Sequence, residues 1–280
     1  MSNVRPVLLR DFDKAFSFES FGVKIRIEST DADLLEKASS VVQKALAGNF
    51  SLIENDPQLE FSFGLTRSTG GALVLYRDGQ FLMQNDLEVP LLRYFNAMIR
   101  IRVAEFAVGK VFLHSGAVAV NGQALLIPGN SYSGKSTLVA DLIKNGAEYY
   151  SDEYAVLDEE GLNYPFPRDL SLRDIDGGRT KENDLSPNAF GANVGKAAIP
   201  VRLILITKYE EGALWQPEML SLGQGIFELI PFTISLKNNA EFSLRVLKNS
   251  LSRAIIAKSP RGDSTKFAET ILSFFDKVIT

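Results

Sequence analysis

Residues 123–137 read QALLIPGNSYSGKST, and this stretch decides the fold. It begins with an apolar run typical of a strand and continues into a loop bounded by Gly129 and Gly134. It ends in Lys135-Ser136-Thr137, which opens a helical pattern. This is the G-x-x-x-x-G-K-[ST] motif in the strand, loop and helix context that a phosphate-binding loop (P-loop) requires. The stretch therefore predicts an α/β domain organised around a phosphate site.

The residue types of this loop suit a nucleotide with its metal ion. Backbone N–H groups of such a loop converge on the α- and β-phosphates, and the start of the helix adds the positive end of its dipole. Lys135 would reach the β- and γ-phosphates, and Ser136 would offer its hydroxyl to Mg²⁺, which prefers oxygen ligands. The sequence thus predicts ATP and Mg²⁺ as cofactors. The predicted nucleotide-binding residues are Gly129, Asn130, Ser131, Tyr132, Ser133, Gly134, Lys135, Ser136 and Thr137.

The composition limits the class of protein. The chain has 280 residues, of which 45% are hydrophobic, so it can form one large domain or two small ones. A formal net charge of -4 provides no basic field for nucleic acid. No apolar run approaches the ~18 residues of a membrane span, and we find no signal peptide. We therefore expect a cytoplasmic protein with neither a nucleic acid nor a membrane as its partner.

The rare residue types narrow the chemistry further. The sequence has no cysteine, which excludes disulfides, thiolate nucleophiles and cysteine-bound metals. Its single histidine is His114, so any scheme that needs an imidazole must use this residue. His114 ends the strand before the one that enters the loop. It would touch a phosphate or orient the acceptor there, and the alternative is a hydrogen-bonded polar residue at a strand end.

The sequence divides into two predicted domains. Residues 1–108 read as a small α+β domain, with an alternating strand at 21–28 and a hairpin at Asp78-Gly79. This part contains no group of residues that suggests chemistry, so we predict a docking or regulatory domain. Residues 109–280 contain no linker and no repeat, and we read them as one catalytic domain.

Within the second domain, the pairing before the loop is unusual. Asn121-Gly122 predicts a two-residue hairpin whose second strand runs directly into the loop. Common doubly wound P-loop proteins instead flank that strand with parallel neighbours. The sequence therefore predicts a mixed sheet. Farther along, we predict an irregular functional loop at 165–198, a strand at 199–207, and helices at 219–229, at 241–256 and from about Asp263 onward.

Acidic residues after the loop's helix are candidates for a base and for metal ligands. Asp152 and Glu153 follow that helix, and a βαβ-like return would bring their strand alongside the loop strand. Neighbouring strand residues face opposite sides, so we expect Asp152 to enter the site. The predicted metal ligands are Ser136, Asp152 and Glu153. Asp158 is the alternative, since it ends an apolar run, although it also suits a turn.

Basic residues along the 165–198 segment are candidates for contacting the phosphoryl group or the substrate. Arg168 and Arg173 would neutralise charge on a transferring phosphoryl group, and the alternative is that both are surface charges. Lys258 and Arg261, before the last helix, are further candidates of the same kind.

These motifs together resemble a known family. Residues 111–173 resemble the C-terminal catalytic domain of HPr kinase/phosphorylase, a bacterial serine kinase, and more closely the wider set of HPr-kinase-like proteins. The resemblance implies a fold akin to phosphoenolpyruvate carboxykinase, with His114 in the site, Lys135 and Ser136 on phosphate and Mg²⁺, and Asp152 as catalytic base. The segments that carry it are His114–Gly122, Gly129–Thr137, Tyr150–Glu153, Pro165–Arg168 and Leu170–Arg173.

The chain also departs from that family's pattern. The family usually has Asp-Asp where this chain has Asp152-Glu153, and the bifunctional enzymes carry Glu-x-Arg where this chain has Ser171-Leu172-Arg173. Residues 1–108 do not match the family's N-terminal domain. The resemblance therefore supports neither phosphorylase activity nor HPr itself as the substrate.

Two functions follow from these observations. The first is an ATP- and Mg²⁺-dependent kinase, with Asp152, His114 and Lys135 as catalytic residues, that phosphorylates a hydroxyl of a protein, peptide or small molecule. The second is a nucleotide-binding regulatory module with little or no turnover. The sequence does not identify the acceptor, and it leaves open whether the chain forms a homo-oligomer.

Overall fold

The computed structural model describes residues 14–54, 59–130, 133–176 and 179–279, with the backbone alone at 173–176, 179–183 and 279. The chain divides into two compact units, Met1–Val108 and Gly109–Thr280. Each unit combines a mixed sheet with helices, so the chain is an α/β protein. Among the described residues, no helix is both long enough and apolar enough to cross a membrane.

The first unit is a six-stranded sheet with two helices. Its sheet order is β3-β1-β2-β4-β5-β6, and β2 and β4 form its parallel pair. Asp78 and Gly79 both have positive φ, at 51° and 75°, which is the type I′ geometry predicted for the β5–β6 hairpin. The elements are β1 Lys14–Ser20, β2 Val23–Ser29, α1 Ala32–Ala45, β3 Ser51–Ile53, β4 Phe61–Arg67, β5 Leu73–Arg77, β6 Gln80–Asn85 and α2 Glu88–Phe106.

The second unit contains the loop motif. Its first half comprises β7 Val111–Val120, β8 Gln123–Pro128, α3 Lys135–Lys144, β9 Glu148–Ser151, β10 Tyr154–Leu157, β11 Leu162–Tyr164, β12 Leu170–Asp176 and β13 Arg179–Leu185. Its second half comprises β14 Ile199–Ile206, β15 Glu218–Met219, α4 Leu222–Leu229, α5 Ala240–Leu251, β16 Ile255–Lys258 and α6 Ser264–Ile279. Short 3₁₀ turns at Pro187–Phe190, Ile230–Phe232 and Ile234–Lys237 complete it.

Strand β7 organises the main sheet of this unit. It pairs antiparallel with β8, β9 and β10, while β8 pairs parallel with β14, and β14 parallel with β16. Asn121 and Gly122 have φ values of 52° and 72° and close the β7–β8 hairpin, as predicted. The predicted mixed sheet is therefore confirmed, with the strand before the loop antiparallel to one neighbour and parallel to the other.

Helices cover both faces of this sheet. On one face, α3 and α6 pack against alternate residues of the strands, including Val118, Leu125 and Leu203. On the other face, α4 and α5 pack against the residues between them, including Ala117 and Leu126. The loop motif leads directly into α3, so the chain passes from the end of β8 to the face that α3 covers.

Three sequence-based expectations are wrong. Strand β9 does not lie alongside β8, because β7 is inserted between them. The 165–198 segment is not irregular throughout, since β12 and β13 pair over seven residues as a separate two-stranded sheet. The helix predicted at 241–256 ends at Leu251, and Ile255–Lys258 form a strand instead, because the apolar run enters the sheet beside β14.

Gly116 allows α3 to lie close against β7. A Cβ at this position would be 2.6 Å from Cγ2 of Val139, a separation at which one of the two must shift, and 3.5 Å from Cγ of Lys135, an ordinary contact. The contact places the first turn of α3, and with it Lys135, directly above β7. The absence of a side chain at Gly116 thus allows α3 to pack close to the sheet.

We expect Gly116→Ala to lower the free energy of unfolding of the second unit by about 1–3 kcal/mol, because the added methyl group overpacks this contact. The measurement is urea denaturation followed by fluorescence of Trp215, the single tryptophan of the chain, which lies in this unit. Gly223→Ala in α4 is the matched control, since its Cβ would meet nothing within 4 Å. Equal denaturation midpoints for the two variants would contradict the packing argument.

Candidate functional site

The glycine loop, residues 129–134, is attached to β7 at its start. The Gly129 N–H donates to the carbonyl of His114 at 3.3 Å, and the Ser133 N–H donates to the carbonyl of Asn130 at 3.3 Å. Gly129 is buried and Asn130 is exposed, while Ser131 and Tyr132 lie outside the described residues. The loop therefore leaves the sheet at the level of His114.

The loop ends in a helix start that carries no side-chain cap. Gly134 is the N-cap of α3 with φ 77°, a left-handed conformation that favours glycine. The first N–H groups of a helix have no partner within the helix, and with the dipole they form an anion site. Lys135 is buried, and its Nζ donates to the carbonyl of Gly129 at 3.2 Å. Ser136 is half-buried, and Thr137 is exposed.

Asp152 lies in the short turn between β9 and β10. The residue is buried, and its Oδ2 accepts the Ser171 N–H at 3.3 Å, whereas its buried Oδ1 has no hydrogen-bond partner in the described parts of the chain. Burial raises the pKa of Asp152 to about 7, the Ser136 hydroxyl and the Lys135 ammonium act in the opposite direction, and Glu153 adds to the rise. Asp152 is therefore close to Lys135 and Ser136 in space.

Glu153 turns away from this arrangement. Its Oε2 forms an ion pair with Nη1 of Arg168 at 3.1 Å, and its carbonyl accepts the N–H of Ser115 at 3.1 Å. The two adjacent acids thus have different surroundings, but they lie in a turn, so the strand alternation expected from the sequence is not the cause. A carboxylate paired with a guanidinium is a weaker candidate for a metal ligand than the unpaired oxygen of Asp152.

His114 lies on β7, between the glycine loop and the acid-bearing turn, which is the turn with Asp152 and Glu153 between β9 and β10. It pairs across the strands with Tyr154, and the two ring centroids are 6.2 Å apart. By alternation it shares the face of Gly116 and Val118, against which α3 packs. The structure therefore brings His114 to the side of the sheet on which the loop and its helix lie.

Asp158 lies level with Lys110, just before β7 begins, whereas the loop departs at the level of His114. Its Oδ1 accepts the Leu162 N–H at 2.9 Å, and its Oδ2 is 3.5 Å from Nζ of Lys110. The adjoining Leu157 pairs with Val111, the first residue of β7. Asp158 is thus a turn residue, and the alternative in which it binds the metal is not supported.

Of the two candidate arginines, the structure places the side chain of Arg168 near the site but does not describe that of Arg173. Arg168 is held beside the site by Glu153, and its carbonyl accepts the hydroxyl of Tyr149 at 2.6 Å. Arg173 lies on β12 opposite Glu182, and its side chain lies outside the described part of the structure.

Arg261 is more closely attached to the loop than the sequence indicated. Only 2% of its surface is exposed, and its Nη2 donates to the carbonyls of Gly134, at 2.6 Å, and Ser133, at 3.3 Å. A Cβ on Gly134 would lie 2.3 Å from this nitrogen. The second glycine of the motif therefore makes room for an arginine as well as for the turn. The link between residues 134 and 261 depends on tertiary structure, and no local pattern predicts it.

The residues present fit a Mg²⁺ ion. Mg²⁺ binds through one or two carboxylates, waters and substrate phosphates. The unpartnered Oδ1 of Asp152 and the hydroxyl of Ser136 are two possible oxygen ligands that lie near one another. Across the described residues there is no cluster of three or more histidine, aspartate or glutamate side chains able to hold a metal.

Comparisons with known proteins give little beyond this geometry. No protein-family model matches the chain, and no curated protein matches its sequence. Among solved structures, the Hpr(Ser) kinase/phosphatase from Coxiella burnetii matches at 16% sequence identity over 60% of this chain and 99% of that chain, with a TM-score of 0.30. A superposition at this TM-score carries no argument about the chemistry of this chain.

The raised pKa of Asp152 makes the stability of the protein depend on pH. Its pKa is 3.8 in an unfolded chain and about 7 in the fold, so the folded state binds the extra proton between these values. Stability is therefore lost as pH rises through this window and is constant above it. Asp152→Asn removes the titration. In metal-free buffer, we expect the free energy of unfolding of the variant, relative to that of wild type, to be about 2 kcal/mol higher at pH 8 than at pH 5.5.

Urea denaturation of both proteins at the two pH values measures this difference. Metal-free buffer is essential, since a cation beside the carboxylate would lower its pKa. A difference between variant and wild type that is the same at both pH values would show that Asp152 is not a buried, uncompensated acid.

Proposed function

We propose that residues 109–280 form an ATP- and Mg²⁺-dependent kinase that transfers the γ-phosphoryl group to a hydroxyl of a protein, peptide or small molecule. One observation carries this proposal. A buried carboxylate with an unpartnered oxygen, Asp152, lies beside the Ser136 hydroxyl and the Lys135 ammonium at the start of α3. A structural acid would be expected to have its hydrogen bonds satisfied.

The glycine loop would bind the nucleotide phosphates as a P-loop within a phosphoenolpyruvate-carboxykinase-like mixed sheet. Its N–H groups and the helix start supply the anion site. Lys135 would exchange the Gly129 carbonyl for the β- and γ-phosphate oxygens, a stronger charge-assisted contact. Arg261 supports this arrangement, since it holds two carbonyls of the loop and places a positive charge beside it.

Asp152 would hold the metal ion or accept the proton of the attacking hydroxyl. A pKa of about 7 suits a general base at neutral pH, since such a group is partly ionised yet still basic. When bound, Mg²⁺ would neutralise charge on the β- and γ-phosphates. Ser136 would be its second protein ligand. Glu153 would act indirectly, by holding Arg168 beside the site.

The remaining parts of the chain receive supporting roles in this proposal. His114 would orient the acceptor from the face of β7, because it lies between the loop and the acid-bearing turn. Residues 1–108 would form a docking or regulatory domain, separate from the catalytic domain at 109–280.

A second function, a nucleotide-binding module with little turnover, is favoured by one observation. Ser171 occupies the position at which the resemblance implies a glutamate, and it offers Asp152 a backbone N–H rather than a second carboxylate. With Glu153 paired to Arg168, Asp152 is left as the acid beside Ser136. Such a site would bind Mg·ATP through the loop and turn it over slowly.

Two substitutions separate these functions. Lys135→Met should weaken Mg·ATP binding about tenfold or more, because it removes the charge that faces the phosphates. Asp152→Asn should still bind Mg·ATP but should slow its turnover by roughly 100-fold, because it removes the base. Binding is measured by calorimetry. Turnover is measured as ATP hydrolysis, in which water takes the place of the unknown acceptor.

Asp158→Asn is the matched control, a buried aspartate whose turn holds both of its oxygens, at the Leu162 N–H and near the Lys110 ammonium. It should leave both binding and hydrolysis unchanged. Wild-type protein that binds Mg·ATP without measurable hydrolysis would favour the regulatory module. Wild-type protein that does not bind Mg·ATP would refute both functions.

A further inference from the structure

Thr207 lies at the sheet edge from which the glycine loop departs, although the two are distant in sequence. It directly follows β14, which pairs parallel with β8 so that Ile204 is opposite Leu126. Continuing this register by three residues places Thr207 beside Gly129. Parallel strands end at the same edge of a sheet, so Thr207 lies at the edge from which the loop departs.

The Thr207 side chain points to the face on which α3 lies. Leu203 and Leu205 belong to the core under α3 and α6, whereas Ile204 belongs to the core on the opposite face. Side chains two apart on a strand share a face. Thr207 therefore continues the row of Leu203 and Leu205 toward the start of α3.

The Thr207 hydroxyl is buried and has no partner. Its Oγ1 is one of the buried polar atoms that lack a hydrogen bond in the described parts of the chain. The backbone on either side is fixed, since the Ile206 carbonyl accepts the Ser259 N–H at 3.1 Å and the Lys208 carbonyl accepts the Arg261 N–H at 3.0 Å. Buried hydroxyls are nearly always hydrogen-bonded, so an anchored, unsatisfied one at this edge is free to bind a ligand at the loop.

We infer that the Thr207 hydroxyl donates a hydrogen bond to the terminal phosphate groups of the nucleotide bound by the glycine loop. This inference rests on the proposed function. The Lys135 ammonium contacts the Gly129 carbonyl, so it marks the end of the loop at which the β- and γ-phosphates would bind. By the register of β14 and β8, Thr207 would lie beside that same glycine and complete the anion site from the neighbouring strand.

Thr207→Val tests the assignment, because valine keeps the shape of the side chain and removes only the hydroxyl. We expect Mg·ATP to bind about tenfold more weakly to this variant by calorimetry, the usual effect of losing a hydrogen bond to a charged group. Thr207→Ser, which keeps the hydroxyl, should bind within about threefold of wild type. Thr207→Ala provides a second hydroxyl deletion, should the valine variant fail to fold.

Ser250→Ala is the matched control. Ser250 also carries a buried, unpartnered hydroxyl, but it lies on α5, which covers the opposite face of the sheet. Its substitution should leave Mg·ATP affinity unchanged. Without nucleotide, the Thr207→Val and Ser250→Ala variants should both melt at or above the wild-type temperature, since each loses an unsatisfied buried hydroxyl.

The outcomes separate this inference from the proposed function. Equal Mg·ATP affinity of wild type and Thr207→Val would overturn the inference and leave the nucleotide site intact. Wild-type protein that does not bind Mg·ATP would overturn the nucleotide site and, with it, the assignment of Thr207. A weakened Thr207→Val with an unaffected Thr207→Ser and Ser250→Ala would support both.

Discussion

Backbone hydrogen bonds to two consecutive residues of β7 hold the candidate site together. The His114 carbonyl accepts the N–H of Gly129, where the glycine loop begins, and the Ser115 N–H donates to the carbonyl of Glu153, beside Asp152. The loop and the acid-bearing turn are thus attached to the same short piece of strand. Their separation is set by the geometry of the sheet, which is far stiffer than side-chain contacts.

The packing of α3 against β7 positions Lys135 relative to the loop and to Asp152. With Gly116 beneath it, the helix lies low on β7, and Lys135 is buried next to an aspartate whose charge the site disfavours. Proximity of a lysine normally lowers the pKa of a carboxyl group, yet burial outweighs it here. The site therefore holds an ammonium group near a carboxyl group whose ionised form is disfavoured by burial.

The parts of this structure that were predictable are encoded locally. Asn121-Gly122 and Asp78-Gly79 specify their hairpins because few residues adopt two consecutive positive φ angles. The insertion of β7 between β8 and β9, and the strand at Ile255–Lys258, follow from pairing between distant segments. Strand pairing of that kind leaves no short-range pattern, since a buried parallel strand and a buried helix can share the same apolar run.

The same division applies to the candidate site. Residues 129–137 and Asp152 could be proposed from motif and order alone, whereas the contribution of Arg261 depends on a contact across more than a hundred residues. In the proposed function, the Asp152 carboxyl would couple nucleotide and metal binding to one another. A divalent cation at its Oδ1 would lower its pKa, and phosphates without a cation would raise it. Nucleotide and metal would therefore each bind better in the presence of the other, because together they leave the buried carboxylate neither repelled nor unpaired.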